Sequence, residues 1–122
     1  MKKVDILIIG GGIIGISAAY FLSKYGVNIT LIEKLTIGRE ASAVNAGSLM
    51  LQNKELKLIP LAIEGVKIWS ECKEMIKKDI EFRQKGGLRI AENIQQLKAL
   101  RKIVPEQKKR GLEVEILSLN DE

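Results

Sequence analysis

Histidine is missing from all 122 residues, and cysteine, proline and aromatic residues are scarce: one Cys, two Pro, two Phe, two Tyr and one Trp. Without histidine, the commonest general base and the commonest metal ligand are absent from this stretch. The single cysteine, Cys72, rules out an internal disulfide and suits a reducing compartment. Low-complexity tracts are absent too, and 46% apolar residues supply enough material for a core. The longest apolar run is far too short to span a bilayer. Met1-Lys2-Lys3 and the run behind it imitate a secretory leader. Asp5 breaks that run, however, and three consecutive glycines sit in its centre, so the leader reading is rejected.

Charge is present in both signs. Twenty Lys and Arg against 15 Asp and Glu leave a formal +5. The two signs are interleaved, as in Glu71-Cys72-Lys73-Glu74 and Lys77-Lys78-Asp79, which describes solvated helix faces. Weak attraction to an anionic membrane surface is the other reading of the excess. Nucleic-acid binding is excluded as a class, since neither a basic stripe with aromatics nor a recognised module occurs.

What is present is organised around residues 5–33. Asp5 to Ile9 is a short apolar run of the kind that forms a strand buried on both faces. Gly10, Gly12 and Gly15 follow at GxGxxG spacing and open an apolar helical segment that reaches Tyr25 and is stopped by Gly26. Asn28 to Ile32 reads as a second strand, with Glu33 at its end. In such a unit the first glycine permits a tight turn, and the second lets the backbone approach a pyrophosphate. The third, helped by Ala19 one turn on, lets helix and strands pack closely. Open N–H groups and the positive end of the helix dipole face the phosphates. Glu33 is placed to accept hydrogen bonds from ribose hydroxyls and to repel a 2′-phosphate. A lone GxGxxG is a weak signal; glycines, helix, second strand and acid together make a strong one.

Lys34 to Asn53 is a long loop without periodicity, a length that tends to be functional. Its small residues Ser42, Asn45, Ala46, Gly47 and Ser48 suit close contact with a flat polar ligand, and Arg39 is able to reach a phosphate or carboxylate. A helix is predicted from Pro60, with Leu61, Gly65, Ile68, Trp69, Cys72, Met75 and Ile76 on its apolar face. Trp69 and Cys72 are structural on this reading. After a turn at Gly86-Gly87, residues 88–91 read as a strand. Asn93 with Gln96 caps a helix through Ile94, Leu97, Leu100 and Ile103 that Pro105 bends or ends. Alternation over 112–117 predicts a half-buried strand, antiparallel to 88–91. Ser118-Leu119-Asn120-Asp121 has the form of a helix start with no helix after it. With only two parallel strands in the βαβ unit, the sequence reads as the N-terminal part of a longer protein.

These motifs resemble the FAD-dependent D-amino-acid oxidase superfamily of glutathione-reductase-like flavoproteins, which includes glycine oxidase, sarcosine oxidase and bacterial D-amino-acid dehydrogenase. DILIIGGGIIGISAAYFLSKYGVNITLIEK is similar to the family's opening flavin motif, and GREASAVNAGSL to its second cofactor loop. The NAG version of that loop is most similar to D-amino-acid dehydrogenases. FRQKGGLRIAENIQQLKAL and GLEVEILSLNDE resemble the beginning of the substrate domain.

The resemblance implies an α/β, Rossmann-like FAD-binding part over residues 1–78 and the start of an antiparallel substrate domain over 79–122. It puts the FAD pyrophosphate at Gly10, Gly12, Ile13, Ile14 and Gly15, and the adenosine ribose at Glu33, with Lys34 near the adenine. Ser42 falls near the pyrophosphate and ribitol, Arg39 is a further candidate, and Asn45, Ala46, Gly47, Ser48 and Leu49 line the isoalloxazine. The implied reaction is hydride transfer from the CH–NH carbon of a D-amino acid, glycine or N-methyl amino acid to flavin N5, leaving an imino acid. Catalytic and substrate-carboxylate residues are expected beyond residue 122. The expected partners are the amino-acid substrate and an electron acceptor, a quinone or carrier in preference to oxygen. A cytoplasmic location is expected, with peripheral contact at the inner face of the membrane and oligomer formation both compatible with it. Two alternatives stand beside this reading. One is an NAD-dependent dehydrogenase, which the long loop after Glu33 disfavours. The other is a non-catalytic flavin-binding subunit.

Overall fold

β-branched and apolar residues on either side of the glycine turn pair as two short parallel strands, because two heavy atoms on Cβ favour extended backbone. They are β1 (Ile6–Ile9) and β2 (Ile29–Ile32), with Ile6 opposite Ile29 and Ile9 opposite Ile32. Polar bonds fix this register at both ends. Asp5 N–H donates to the Asn28 carbonyl (2.9 Å) and Asn28 N–H to Asp5 Oδ2 (3.0 Å). At the other end Gly10 N–H donates to the Ile32 carbonyl (2.8 Å). Parallel neighbours need a crossover, and α1 (Ile13–Ser23) supplies it, packing on both strands.

The computed structural model describes residues 3–117, which fall into two compact units divided between Ser48 and Leu49. The division lies within the loop after β2. In the first unit the expected strand buried on both faces is not found: Leu7 is 53% and Ile9 79% exposed. Successive strand residues point to opposite faces, and among the described residues the sheet has two strands, with α1 covering one face only.

The second unit is helical. A 3₁₀ turn (Leu56–Leu58) leads into α2 (Ile59–Ile76), with Pro60 in the first turn, where its missing N–H has no helical partner to lose. Ile59 is fully buried. Ile63, Val66, Trp69, Cys72 and Met75 form a half-buried stripe, whereas Glu64, Lys67, Glu71 and Glu74 are exposed. Leu61 and Ile76 do not belong to that stripe. Leu61 lies about 200° round the helix from Ile59 and is 73% exposed; Ile76 is the exposed last residue.

α3 (Ile94–Lys108) begins as its sequence predicts. Asn93 Oδ1 accepts from Gln96 N–H (2.9 Å), and Gln96 Oε1 accepts from Glu92 N–H (2.7 Å). Leu97, Leu100 and Ile103 are half-buried, and Val104 and Gln107 are buried on the same side. Pro105 does not end the helix. It cannot donate to the Arg101 carbonyl, but Lys109 N–H still closes on the Pro105 carbonyl (3.1 Å), and the helix runs on to Lys108. Buried Gln107 donates its Nε2 to the Gln52 carbonyl (2.8 Å), which ties α3 to the segment before α2.

The two predicted antiparallel strands are absent from the described residues. Residues 88–91 and 112–117 have no regular secondary structure, and Leu88 and Ile90 are exposed. Alternation survives in the second segment, where Leu112 is buried, Val114 half-buried, and Glu113 and Glu115 exposed. It reports which side of the chain is covered; a strand needs in addition a backbone ladder, and none forms here. The helix-start pattern at 118–121 lies outside the described residues. No helix among the described residues is long and apolar enough to cross a membrane.

α2 ends on Lys77 in left-handed backbone (φ 53°, ψ 35°), where a Cβ is unfavourable and glycine is not. Lys77→Gly is therefore expected to stabilise the protein by about 1 kcal/mol, read as a higher midpoint of urea unfolding.

Candidate cofactor site

The site is built where β1 turns into α1. Gly10 has φ +107°, which removes the strand from its path without a Cβ penalty. A Cβ on Gly15 would collide with the Gly10 carbonyl oxygen, so helix and turn touch there backbone to backbone. Gly12 forms the N-cap of α1 without a side-chain cap, and a Cβ on it would meet Ser42 Oγ at 3.3 Å. The first turn of α1 carries no acidic residue to occupy its N–H groups. Ile13 N–H donates to Ser42 Oγ (2.9 Å). The N–H groups of Gly12, Ile14 and Gly15 have no acceptor among the described residues. Three open donors at the positive end of a helix, beside a Gly12 whose Cβ would crowd Ser42 Oγ, fit a diphosphate.

Glu33 closes the site from the end of β2. Its Oε2 accepts from Gly11 N–H (2.7 Å) and its Oε1 from Leu35 N–H (2.9 Å). The Gly11 bond first, and the Leu35 bond after it, hold the carboxyl below the ordinary glutamate range. An ionised carboxylate offers about four lone-pair positions, so acceptor capacity remains for sugar hydroxyls.

The structure brings Gly10, Gly12, Ile13, Ile14, Gly15, Glu33 and Ser42 into this one place. Lys34 is turned to Glu40 in an exposed ion pair (3.2 Å), and Arg39 is exposed in the same loop. Asn45, Ala46, Gly47 and Ser48 form a tight exposed turn, in which Asn45 Oδ1 accepts from Gly47 N–H (2.7 Å), with no bond to the glycine turn among the described residues. Leu49 opens the second unit. Gly11 and its partner Gly38 escaped the sequence reading. Gly11, in the unspecified position of the motif, is buried and bonded on both sides, to Glu33 and through its carbonyl to Gly38 N–H (2.9 Å). Three glycines in a row, and Gly38 in the loop after β2, were the available signals.

A parallel βαβ unit with a glycine turn, an open helix N-terminus and an acid at the end of the second strand defines a dinucleotide-binding protein. The chain belongs to the DAO family of FAD-dependent oxidoreductases, which it matches over residues 5–122; the cofactor of that family is FAD. It is 39% identical over 89 residues to glycerol 3-phosphate oxidase of Mycoplasma genitalium, covering 70% of this chain and 23% of that protein. With D-amino acid dehydrogenase of Helicobacter pylori it shares 34% over 90 residues, covering 74% and 20%. Its fold superposes on L-proline dehydrogenase from P. horikoshii with a TM-score of 0.86 and 26% identity, over 96% of this chain and 31% of that one. For glycine oxidase from Bacillus cereus the values are 0.73, 36%, 91% and 32%. The chain thus spans between a fifth and a third of the length of these proteins.

Gly15→Ala is expected to weaken FAD binding by about tenfold or more, since overpacking of this size costs about 1–3 kcal/mol; flavin fluorescence titration measures it. Acidification is expected to loosen the site. The folded carboxyl of Glu33 lies below its unfolded value, so its contribution is complete above the ordinary glutamate range and is lost as pH falls through the lowered value. The share of FAD retained at each pH after gel filtration shows this as a release on the acid side only.

Proposed function

We propose that the complete protein oxidises the CH–NH bond of an amino acid to an imino acid with FAD as hydride acceptor, and that a D-amino acid dehydrogenase is the nearest description. The observation that carries the cofactor half is the cradle of open N–H groups at Gly12, Ile14 and Gly15, faced by Ser42 and flanked by Glu33. When bound, FAD supplies the two-electron chemistry. The chain's own residues hold it in place. The open amides and the Ser42 hydroxyl meet the diphosphate, and Glu33 meets the ribose. The small polar residues Asn45–Ser48 would meet the flavin end on this reading. Fixing the flavin in this way sets the distance between its reactive atom and the substrate carbon.

The amine half of the proposal draws on relatives named for amino-acid oxidation and on the NAG turn. Residues 79–122 begin the substrate domain on this reading, the acceptor is a quinone or carrier, and the protein works in the cytoplasm. A second reading, oxidation of an alcohol such as glycerol 3-phosphate, is favoured by the 39% identity to the mycoplasmal oxidase. Anaerobic mixing of the full-length flavoprotein with a panel of D- and L-amino acids, glycine and glycerol 3-phosphate separates the two. Bleaching of the visible flavin bands by a D-amino acid is the expected result, and bleaching by glycerol 3-phosphate alone would overturn the amine assignment.

A further inference from the structure

We propose that Glu33 is a positioning residue for the diphosphate turn in addition to a sugar ligand: through Gly11 it holds the turn in its binding shape before any sugar arrives. The inference rests on the cofactor reading above and deepens it.

The six amides along the turn divide into three that are fastened and three that are open. Gly10 N–H is held by the Ile32 carbonyl (2.8 Å), Gly11 N–H by Glu33 Oε2 (2.7 Å) and Ile13 N–H by Ser42 Oγ (2.9 Å). Gly12, Ile14 and Gly15 are the open ones among the described residues. Of the fastened three, Gly11 alone is held by a charged group, and hydrogen bonds to ionised acceptors are the strong ones. It is also the buried one. A Cβ on Gly11 would stand 3.2 Å from Glu33 Cβ and 3.2 Å from Ile37 Cγ1, so the acid's stem and the following loop close around a bare backbone. The Gly11 carbonyl takes Gly38 N–H (2.9 Å), which anchors the loop that carries Ser42. One carboxylate therefore fixes the turn and, through the same glycine, one end of the loop opposite it.

Glu33 is itself oriented, because Leu35 N–H occupies its second oxygen (2.9 Å). Glutamine cannot take over this arrangement. Its amide has one acceptor oxygen and one donor nitrogen, so one of the two backbone N–H groups would face a donor. A residue that served the sugar alone would leave the turn indifferent to this change.

The test pairs Glu33→Gln with a ligand that lacks the sugar contact. Full-length protein freed of FAD is titrated calorimetrically with ADP and with 2′,3′-dideoxy-ADP, for wild type and variant. The expected result is that Glu33→Gln weakens both ligands, with a loss of about tenfold on the dideoxy compound. A variant that binds 2′,3′-dideoxy-ADP within twofold of wild type, while losing ADP affinity, would confine Glu33 to the sugar and overturn the proposal. Failure of the wild type to bind ADP would instead overturn the cofactor reading beneath it. Amide exchange by NMR on the cofactor-free wild type decides the matter even if the variant does not fold. Gly11 N–H should exchange slowly beside a fast Gly12 N–H, and equal rates at the two would sink the idea.

Discussion

Everything at the cofactor end depends on a backbone that must be rigid and unsatisfied at once. An open N–H group at a helix N-terminus attracts an anion only if it points at the anion's position without first being rearranged. Here the fixed geometry comes from the other amides of the same turn. The Ile32 carbonyl, the Glu33 carboxylate and the Ser42 hydroxyl each take one N–H, from Gly10, Gly11 and Ile13. The three acceptors come from β2, from its exit and from the following loop. The turn is thus cross-linked to chain as many as 29 residues away, and its geometry is not left to local preference.

The second unit solves a different problem. It has three helical elements and no sheet among the described residues, and its buried positions there are few: Ile59, Val104, Leu112 and Gln107. With so little apolar interior, a buried amide side chain needs a partner, since burial without one costs about 1–3 kcal/mol. Gln107 meets this by donating to the Gln52 carbonyl, while Gln52 donates its own Nε2 to the Gly87 carbonyl. Two glutamines thereby join α3, the lead-in to α2 and the irregular stretch after it. Polar cross-links do here what strand ladders were expected to do.

How legible each part was follows from the range over which its cause acts. Gly10, Gly12, Gly15, Glu33, the Asn93–Gln96 cap and the reach of α2 were all readable, because turn, cap and helix chemistry is local and leaves its residue types at fixed spacing. Gly11 was not readable, since the motif leaves its position free; it is glycine because Glu33 and Ile37 arrive from the far side of the βαβ unit. Leu88–Ala91 and Leu112–Leu117 misled for the converse reason. Their alternation is a local property, but a strand exists only through a partner that no local pattern names. Of the two outcomes expected of Pro105, ending the helix fails because its cost is one lost bond near a helix end, and the last turn still closes past it.

The same distinction bears on what likeness to other proteins can say about chemistry. The open amides and the carboxylate assembled at the glycine turn suit phosphates and a ribose, parts of FAD that do not change with the substrate being oxidised. Proteins named for glycerol 3-phosphate, a D-amino acid, L-proline and glycine all match this stretch, at 26–39% identity. Those values extend over 70–96% of this chain, and a protein named for glycerol 3-phosphate matches as well as those named for amino acids. Discrimination between a C–OH and a C–NH bond requires groups that meet the substrate's carboxylate, phosphate or amine. No constellation of that kind is assembled at the turn, so the grip on FAD sets the class of reaction, and contacts elsewhere in the protein must choose its substrate.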